Sequence, residues 1–223
     1  MAFKHGAYYS EQATSIISPV AIDAGMPVVF GTAPVHLANE MNVNKPILCN
    51  SYEEAVTALG YSENWEKYTL CEVMYSQFYL FGYSPIVFVN VLDPTKNKEA
   101  KSDESIVVTD GKASINEPVI LSTLKVKKAS AGEALILDTD YTASYDDNEI
   151  LQIELISEEA KELENIYCDY DKVDVSLVQK EDIIGGVDIS TGTLKGLELI
   201  EEIFPRTLKG PGIIIAPAWS TDS

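Results

Sequence analysis

The sequence is poor in positive charge, in cysteine and in histidine, and it has no long hydrophobic run. Arginine occurs once, at Arg206, and sixteen basic residues face thirty-five acids, for a net charge of −19. Such a chain repels phosphates and anionic headgroups, which argues against nucleic acid or a membrane surface as a partner. The three cysteines, Cys49, Cys71 and Cys168, are far apart and form no Cys-x-x-Cys pair. Together with two histidines, His5 and His36, they cannot complete a zinc set of the usual spacing. They read as neutral thiols of a reducing compartment. No stretch approaches ~20 apolar residues, and residues 1–10 lack the apolar run of a signal peptide, so synthesis and folding in the cytoplasm are expected.

What is present fits a globular chain: 223 residues, 46% hydrophobic and 23% charged. The charge is uneven. Residues 95–182 hold ten lysines and twenty-one acids, a net of −11, so the middle of the chain reads as its most solvated part.

The first residues, 1–22, are extended in character and lack helical period, which fits an arm that packs on something else and equally a frayed terminus. Residues 23–95 then read as α/β. Pro27-Val28-Val29-Phe30-Gly31 suits a buried strand. Ser51 with Glu54 is a capping box opening a helix that stops at Gly60, and Thr69 with Glu72 repeats the device. In the second helix Leu70, Met74, Phe78 and Phe81 are expected on one face, and Gly82 and Pro85 end it. Residues 86–92 form a central strand by composition, so a crossover in a mostly parallel sheet is expected.

After Asp93-Pro94 the pattern changes. Residues 96–104 read as a charged linker, followed by short β runs at 106–108, 119–121, 124–126, 134–137, 141–145 and 150–156. Asp146-Asp147-Asn148 marks a hairpin turn, and Ile166, Cys168 and Tyr170 alternate as in a strand. From residue 182 α/β character returns. Leu197, Ile200 and Phe204 are expected on one helical face stopped by Pro205, and residues 212–216 as a buried strand. The expected fold is therefore a mixed α/β core, 23–95 plus 182–223, with an inserted small all-β domain, 96–181, and an extended N-terminal arm, 1–22.

No catalytic, cofactor-binding or metal-binding residues are expected. Ser122-x-x-Lys125 matches a nucleophile pattern that requires a helix, yet it lies in β text without its companion motifs. Gly185, Gly186 and Gly192 lack the spacing of a phosphate loop and read as turn residues. The acid groups Asp138/Asp140, Asp146/Asp147 and Asp169/Asp171/Asp174 do not continue into an EF-hand loop, and a solvated acidic face explains them. Tyr141, Tyr145, Tyr167 and Tyr170 leave open a carbohydrate- or receptor-binding module carried by the insertion, which would display them as an exposed cluster.

Ordered blocks along the chain carry a resemblance. They are His5-Gly6-x-Tyr8-x-x-Glu11; residues 26–35, MPVVFGTAPV; Ser51-Tyr52-x-Glu54-Ala55 with Leu59-Gly60-Tyr61-Ser62; Tyr68-Thr69-Leu70-Cys71-Glu72; residues 88–94, FVNVLDP; residues 182–188, DIIGGVD; and residues 211–220, PGIIIAPAWS. In this order the chain resembles the tail sheath proteins of contractile bacteriophages and related contractile bacteriocins, over about 1–94 and 182–223. It departs from the family at Ala218, where glycine is usual, and in lacking a further C-terminal domain and arm after Ser223.

The resemblance implies a structural subunit with no cofactor and no enzymatic activity. Its partners would be neighbouring sheath subunits in stacked hexameric rings, the tail tube protein, the baseplate and the tail terminator, in a virion tail or bacteriocin particle. On triggering, such a sheath contracts and drives the tube through the target envelope. The implied inter-subunit arm would use Tyr8, Tyr9, Glu11, Ile16, Ile17 and Val20, adding a strand to a neighbour's sheet.

Overall fold

The computed structural model describes residues 25–38 and 40–220. The expected arm, with Tyr8, Tyr9, Glu11, Ile16, Ile17 and Val20, lies outside the described residues, as does His5.

Two apolar runs build the centre of the first sheet. β1 (Pro27–Gly31) and β3 (Ile86–Asn90) are buried throughout and pair in parallel, Val28 opposite Val87 and Phe30 opposite Val89. β2 (Ile47–Cys49) adds antiparallel to β3, and the last strand, β12 (Ile213–Ile215), adds parallel to β1, giving the order β12-β1-β3-β2. The mostly parallel sheet with a crossover is as the sequence led us to expect; β2 is additional.

Strand alternation divides the apolar side chains between two faces. Val29, Ile86 and Phe88 face α1 (Tyr52–Leu59) and α2 (Thr69–Val73), packing with Leu59, Leu70 and Met74. Val28, Phe30, Val87 and Val89 face the other way, toward Ile183, Leu199 and Ile203. Each fully buried side chain of this size contributes about 1.5–3 kcal/mol, so the two faces together define the fold here.

Helix α1 begins as expected, with Ser51 Oγ accepting from Glu54 N at 3.2 Å, but the Glu54 carboxylate accepts from Asn50 N at 2.7 Å, one residue before the cap. It ends at Gly60, whose φ of 77° places it in the left-handed region, where a Cβ would lie 2.4 Å from the Pro34 carbonyl oxygen. Thr69 does not cap its own helix. Tyr68 occupies the N-cap position, and the Thr69 hydroxyl accepts instead from Thr32 N, just past β1.

The helix after Thr69 also changes character. α2 continues directly into seven π-helical residues, Met74–Leu80, and Phe81 N donates to Ser76 O. The wider turn rotates later residues away from the sheet. Leu70 and Met74 are buried and Phe78 packs partly, but Phe81 is 73% exposed, so the four-residue face expected from α-helical spacing is broken.

Between residues 98 and 173 lie six antiparallel strands in two small sheets. β4 (Lys98–Val107), β9 (Asn165–Val173) and β6 (Lys125–Lys127) make one, in the order β4-β9-β6. β5 (Lys112–Ile115), β8 (Leu151–Leu155) and β7 (Tyr141–Tyr145) make the other, in the order β5-β8-β7, with a helical turn, α3 (Glu158–Lys161), after β8. Their apolar faces share one cluster that includes Val126, Leu151, Ile153, Ile166 and Cys168.

The expected β7–β8 hairpin forms, its turn held by Asp146, whose Oδ1 accepts from Asn148 N and Ile150 N. Residues 96–104, expected as a linker, are mostly strand. β4 is a sheet edge stabilised by charge pairs across to β9, such as Lys98 with Asp171 at 2.6 Å and Glu99 with Lys172 at 3.3 Å. Residues 119–121 and 134–137 are irregular and join the sheets through single bridges, although Val119 and Ile120 are buried.

The chain returns to the first sheet through α4 (Lys180–Ile184), which ends at Gly185, and a two-strand ribbon of β10 (Gly186–Val187) and β11 (Leu194–Lys195). Gly185 has φ 74°, and any Cβ there would sit 1.8 Å from the Lys195 carbonyl oxygen.

α5 (Ile200–Thr207) follows a 3-10 turn, Gly196–Leu199. That turn shifts the buried face to Leu199 and Ile203; Leu197 and Ile200 pack only partly and Phe204 is exposed, which corrects the expected grouping. Pro205 lies inside α5, and the helix ends instead at Leu208 in the left-handed region, φ 56°. β12 forms where expected but is an edge strand, with Ile213 50% and Ile214 52% exposed. The architecture is mixed α/β, with several small sheets and five α-helices among the described residues.

Candidate assembly surface

Ser122, Lys125 and the acid groups have structural places. Ser122 sits in a 3-10 turn, Leu121–Thr123, and donates to Glu40 at 2.7 Å, while Lys125 lies on β6. The pair is not on a helix. The acids serve as turn caps and ion-pair partners. Asp140 accepts from Ile136 N at 2.8 Å, a backbone bond that holds its carboxyl below the ordinary range. Asp174 accepts from Ser176 N and Oγ, and Asp169 pairs with Lys127 at 2.9 Å. No group of three or more His, Cys, Asp or Glu among the described residues is arranged to hold a metal ion.

Cys49, Cys71 and Cys168 are free and buried, and burial pushes each thiol up to about 12, far from a reactive thiolate. His36 is buried between the rings of Tyr68 and Tyr145, with centroids 6.1 and 5.6 Å away, and its Nδ1 has no hydrogen-bond partner among the described residues. Burial lowers its pKa to about 4, so the ring is neutral at neutral pH. Tyr145 belongs to β7, so this contact joins the strands of 98–173 to the first sheet. A groove of about 730 Å³ runs along the same junction, lined by Thr32, Tyr68, Glu117, Lys172 and Trp219. Within it Lys172 Nζ donates to Glu117 at 2.9 Å and pairs with Glu99 at 3.3 Å.

Tyr141 and Tyr170 are buried and Tyr145 and Tyr167 are half-buried, so residues 96–181 do not display the exposed aromatic cluster that a glycan-binding module there would need. Another aromatic group lies beside the first sheet, half-buried except for the exposed Tyr79. Tyr75 and Tyr79 stack at 5.1 Å along the π-helical segment, Trp65 lies 5.5 Å from Tyr75, and Tyr52 contacts both Tyr79 and Tyr61. Trp65 Nε1 donates to the Tyr61 hydroxyl at 3.3 Å, which closes the group into a ring of five side chains. Beyond it Tyr79, Leu80 and Phe81 stand exposed.

This surface was not anticipated from the sequence. The available signal was the absence of any charged residue from Val73 through Leu92 in a chain of net charge −19.

Among the described residues no helix is long and apolar enough to cross a membrane. No family model matches the chain. A curated relative does: the tail sheath protein of Burkholderia phage BcepMu is 24% identical over 225 residues, a match that takes in 99% of this chain and 44% of that protein. The chain thus spans less than half the length of the relative it matches. The ordered sequence blocks led us to expect likeness to tail sheath proteins over about 1–94 and 182–223; the match to this phage tail sheath protein extends along nearly the whole chain.

Proposed function

We propose that the protein is a structural subunit of a contractile tail sheath, polymerising around a tail tube and shortening to drive the tube through a target envelope. The observation that carries this reading is the similarity to the BcepMu tail sheath protein along 99% of the chain. The structural engagement of Ser122 and the acid groups, and the burial of His36 and the cysteines, are compatible with a mechanical role. In such a role the work comes from differences in inter-subunit contact between extended and contracted states, and the subunit needs neither cofactor nor catalytic residue. The partners are other sheath subunits, the tube protein, the baseplate and the tail terminator, in a virion tail or a bacteriocin particle assembled in the bacterial cytoplasm. Residues 1–22 act as the linking arm, with the backbone groups of residues around Ile16, Ile17 and Val20 satisfied on a neighbour's sheet edge. Electron microscopy of particles from cells producing an epitope-tagged chain tests the reading. Label along the outside of tails supports it, and label absent from tails overturns it.

A further inference from the structure

We infer that His36 is an acid-sensitive fastener between the first sheet and the strands of 98–173, so that protonating it parts the two without unfolding either. The inference goes beyond the sheath reading and stands or falls apart from it. Separate apolar clusters make such a parting possible. The strands of 98–173 have their own, around Leu151, Ile153 and Ile166. Of residues 96–181 only Ile120, Val173 and Val178 are buried in the cluster around Phe30 and Val89. The chain crosses between the two parts near Asn97 and again near Asp174. Asp174 N donates to the Asn97 carbonyl at 2.9 Å, so the two crossings are held together as one hinge.

Two side-chain contacts add to those apolar residues. The His36 ring meets Tyr145 of β7 edge-on at 5.6 Å, and Ser122 Oγ donates to Glu40 at 2.7 Å. His36 is 4% exposed, its Nδ1 has no hydrogen-bond partner among the described residues, and the Tyr145 hydroxyl is already committed to the Val119 carbonyl at 2.7 Å. A second proton on the ring would put a full charge and at least one unpaired N–H between two aromatic rings. Parting the junction and admitting water removes that cost. The titratable groups around the ring are Tyr68, at the N-cap of α2, and Tyr145, with Glu149 acting on the first and Glu40 on the second. Burial raises both tyrosine hydroxyls, so neither offers a phenolate to offset the charge. The closed ring titrates at about 4 and a parted ring at the ordinary 6.5. The equilibrium therefore moves toward the parted state by about 20-fold between pH 7 and pH 5.

Thiol exposure in the full chain tests this. Ile120→Cys and Val178→Cys each place a buried thiol in the junction, and either variant that melts cooperatively serves. The buried Cys49 of the first sheet and Cys168 of β9 report on unfolding of each part. The probe is 4,4′-dithiodipyridine, which reacts with thiols in mild acid, with rates divided by those of an unfolded cysteine peptide at the same pH. We expect the junction thiol to react about 20-fold faster at pH 5 than at pH 7, with Cys49 and Cys168 still protected. Adding His36→Phe or His36→Gln should abolish the acceleration. A junction thiol indifferent to pH overturns the inference. So does acceleration of Cys49 and Cys168 in step with the junction, which would mean that acid unfolds the whole chain, or acceleration that persists without His36.

Discussion

Thr32 and Thr69 cap each other. Thr69 N donates to Thr32 Oγ1 and Thr32 N donates to Thr69 Oγ1, both at 3.2 Å, while the Thr32 hydroxyl donates to the Lys67 carbonyl at 2.6 Å. The end of a buried strand thus supplies what the first turn of α2 lacks, and the helix supplies the strand's next donor with an acceptor. Both side chains are buried, so water cannot substitute.

Thr32→Val should leave the buried Thr69 N–H and the part-buried Lys67 carbonyl unpaired, and Thr69→Val the buried Thr32 N–H, each costing about 1–3 kcal/mol. Urea denaturation of both single variants and the double variant checks this. Because the two bonds share no atom, the double variant should lose about the sum of the two, and any departure measures the coupling between the neighbouring side chains.

His36 should make stability depend on mild acid. Its folded pKa, about 4, lies below the ordinary 6.5, so the unfolded chain binds the extra proton first as pH falls. Stability is full above about pH 6.5, declines between 6.5 and 4, and levels off below, for a loss on the order of 3 kcal/mol. Tyr68 and Tyr145 face the ring, with Glu149 and Glu40 acting on those tyrosines. Calorimetric melting across this range should show the decline, and His36→Phe should flatten it.

Residues 96–181 should fold on their own. They hold a complete apolar cluster, including Leu151, Ile153 and Ile166, and a fragment of these residues should melt cooperatively with β-type circular dichroism. The remainder, bridged by a short Gly/Ser linker, should keep a cooperative transition at lower temperature, because Ile120, Val173 and Val178 leave the cluster around Phe30 and Val89. A remainder without a cooperative transition would show that the two parts are a single folding unit.

Chelation should leave the melting temperature where it was, since Asp140, Asp146, Asp169 and Asp174 already accept hydrogen bonds from the protein itself. A fall on adding EDTA, reversed by calcium, would identify a structural ion at one of these turns.

The parts of the fold legible in the sequence were those whose burial leaves a compositional trace. β1 and β3 are continuous apolar runs because both faces are covered, α1 carries its cap and stop residues, and β9 alternates cleanly. β4 left no such trace, because an edge strand satisfied by cross-strand ion pairs reads like solvated linker. The π-helical stretch was missed for a different reason. Its residues suit an α-helix equally well, and only the actual hydrogen-bond step decides where Phe81 points. The apolar surface was hidden because Tyr79, Leu80 and Phe81 look like core in a linear reading.

Among the described residues β4 and β12 are both edge strands, and their outer edges are opposite in kind. A backbone edge studded with Lys98, Glu99, Lys101, Asp103 and Glu104 discourages any approaching strand, since each added residue would have to strip water from fixed charges. β12, with three isoleucines, places no such toll on a visitor. Copies that pair along β12 would close as two-fold dimers, because the same edge used on both partners leaves no second permissive edge from which to grow.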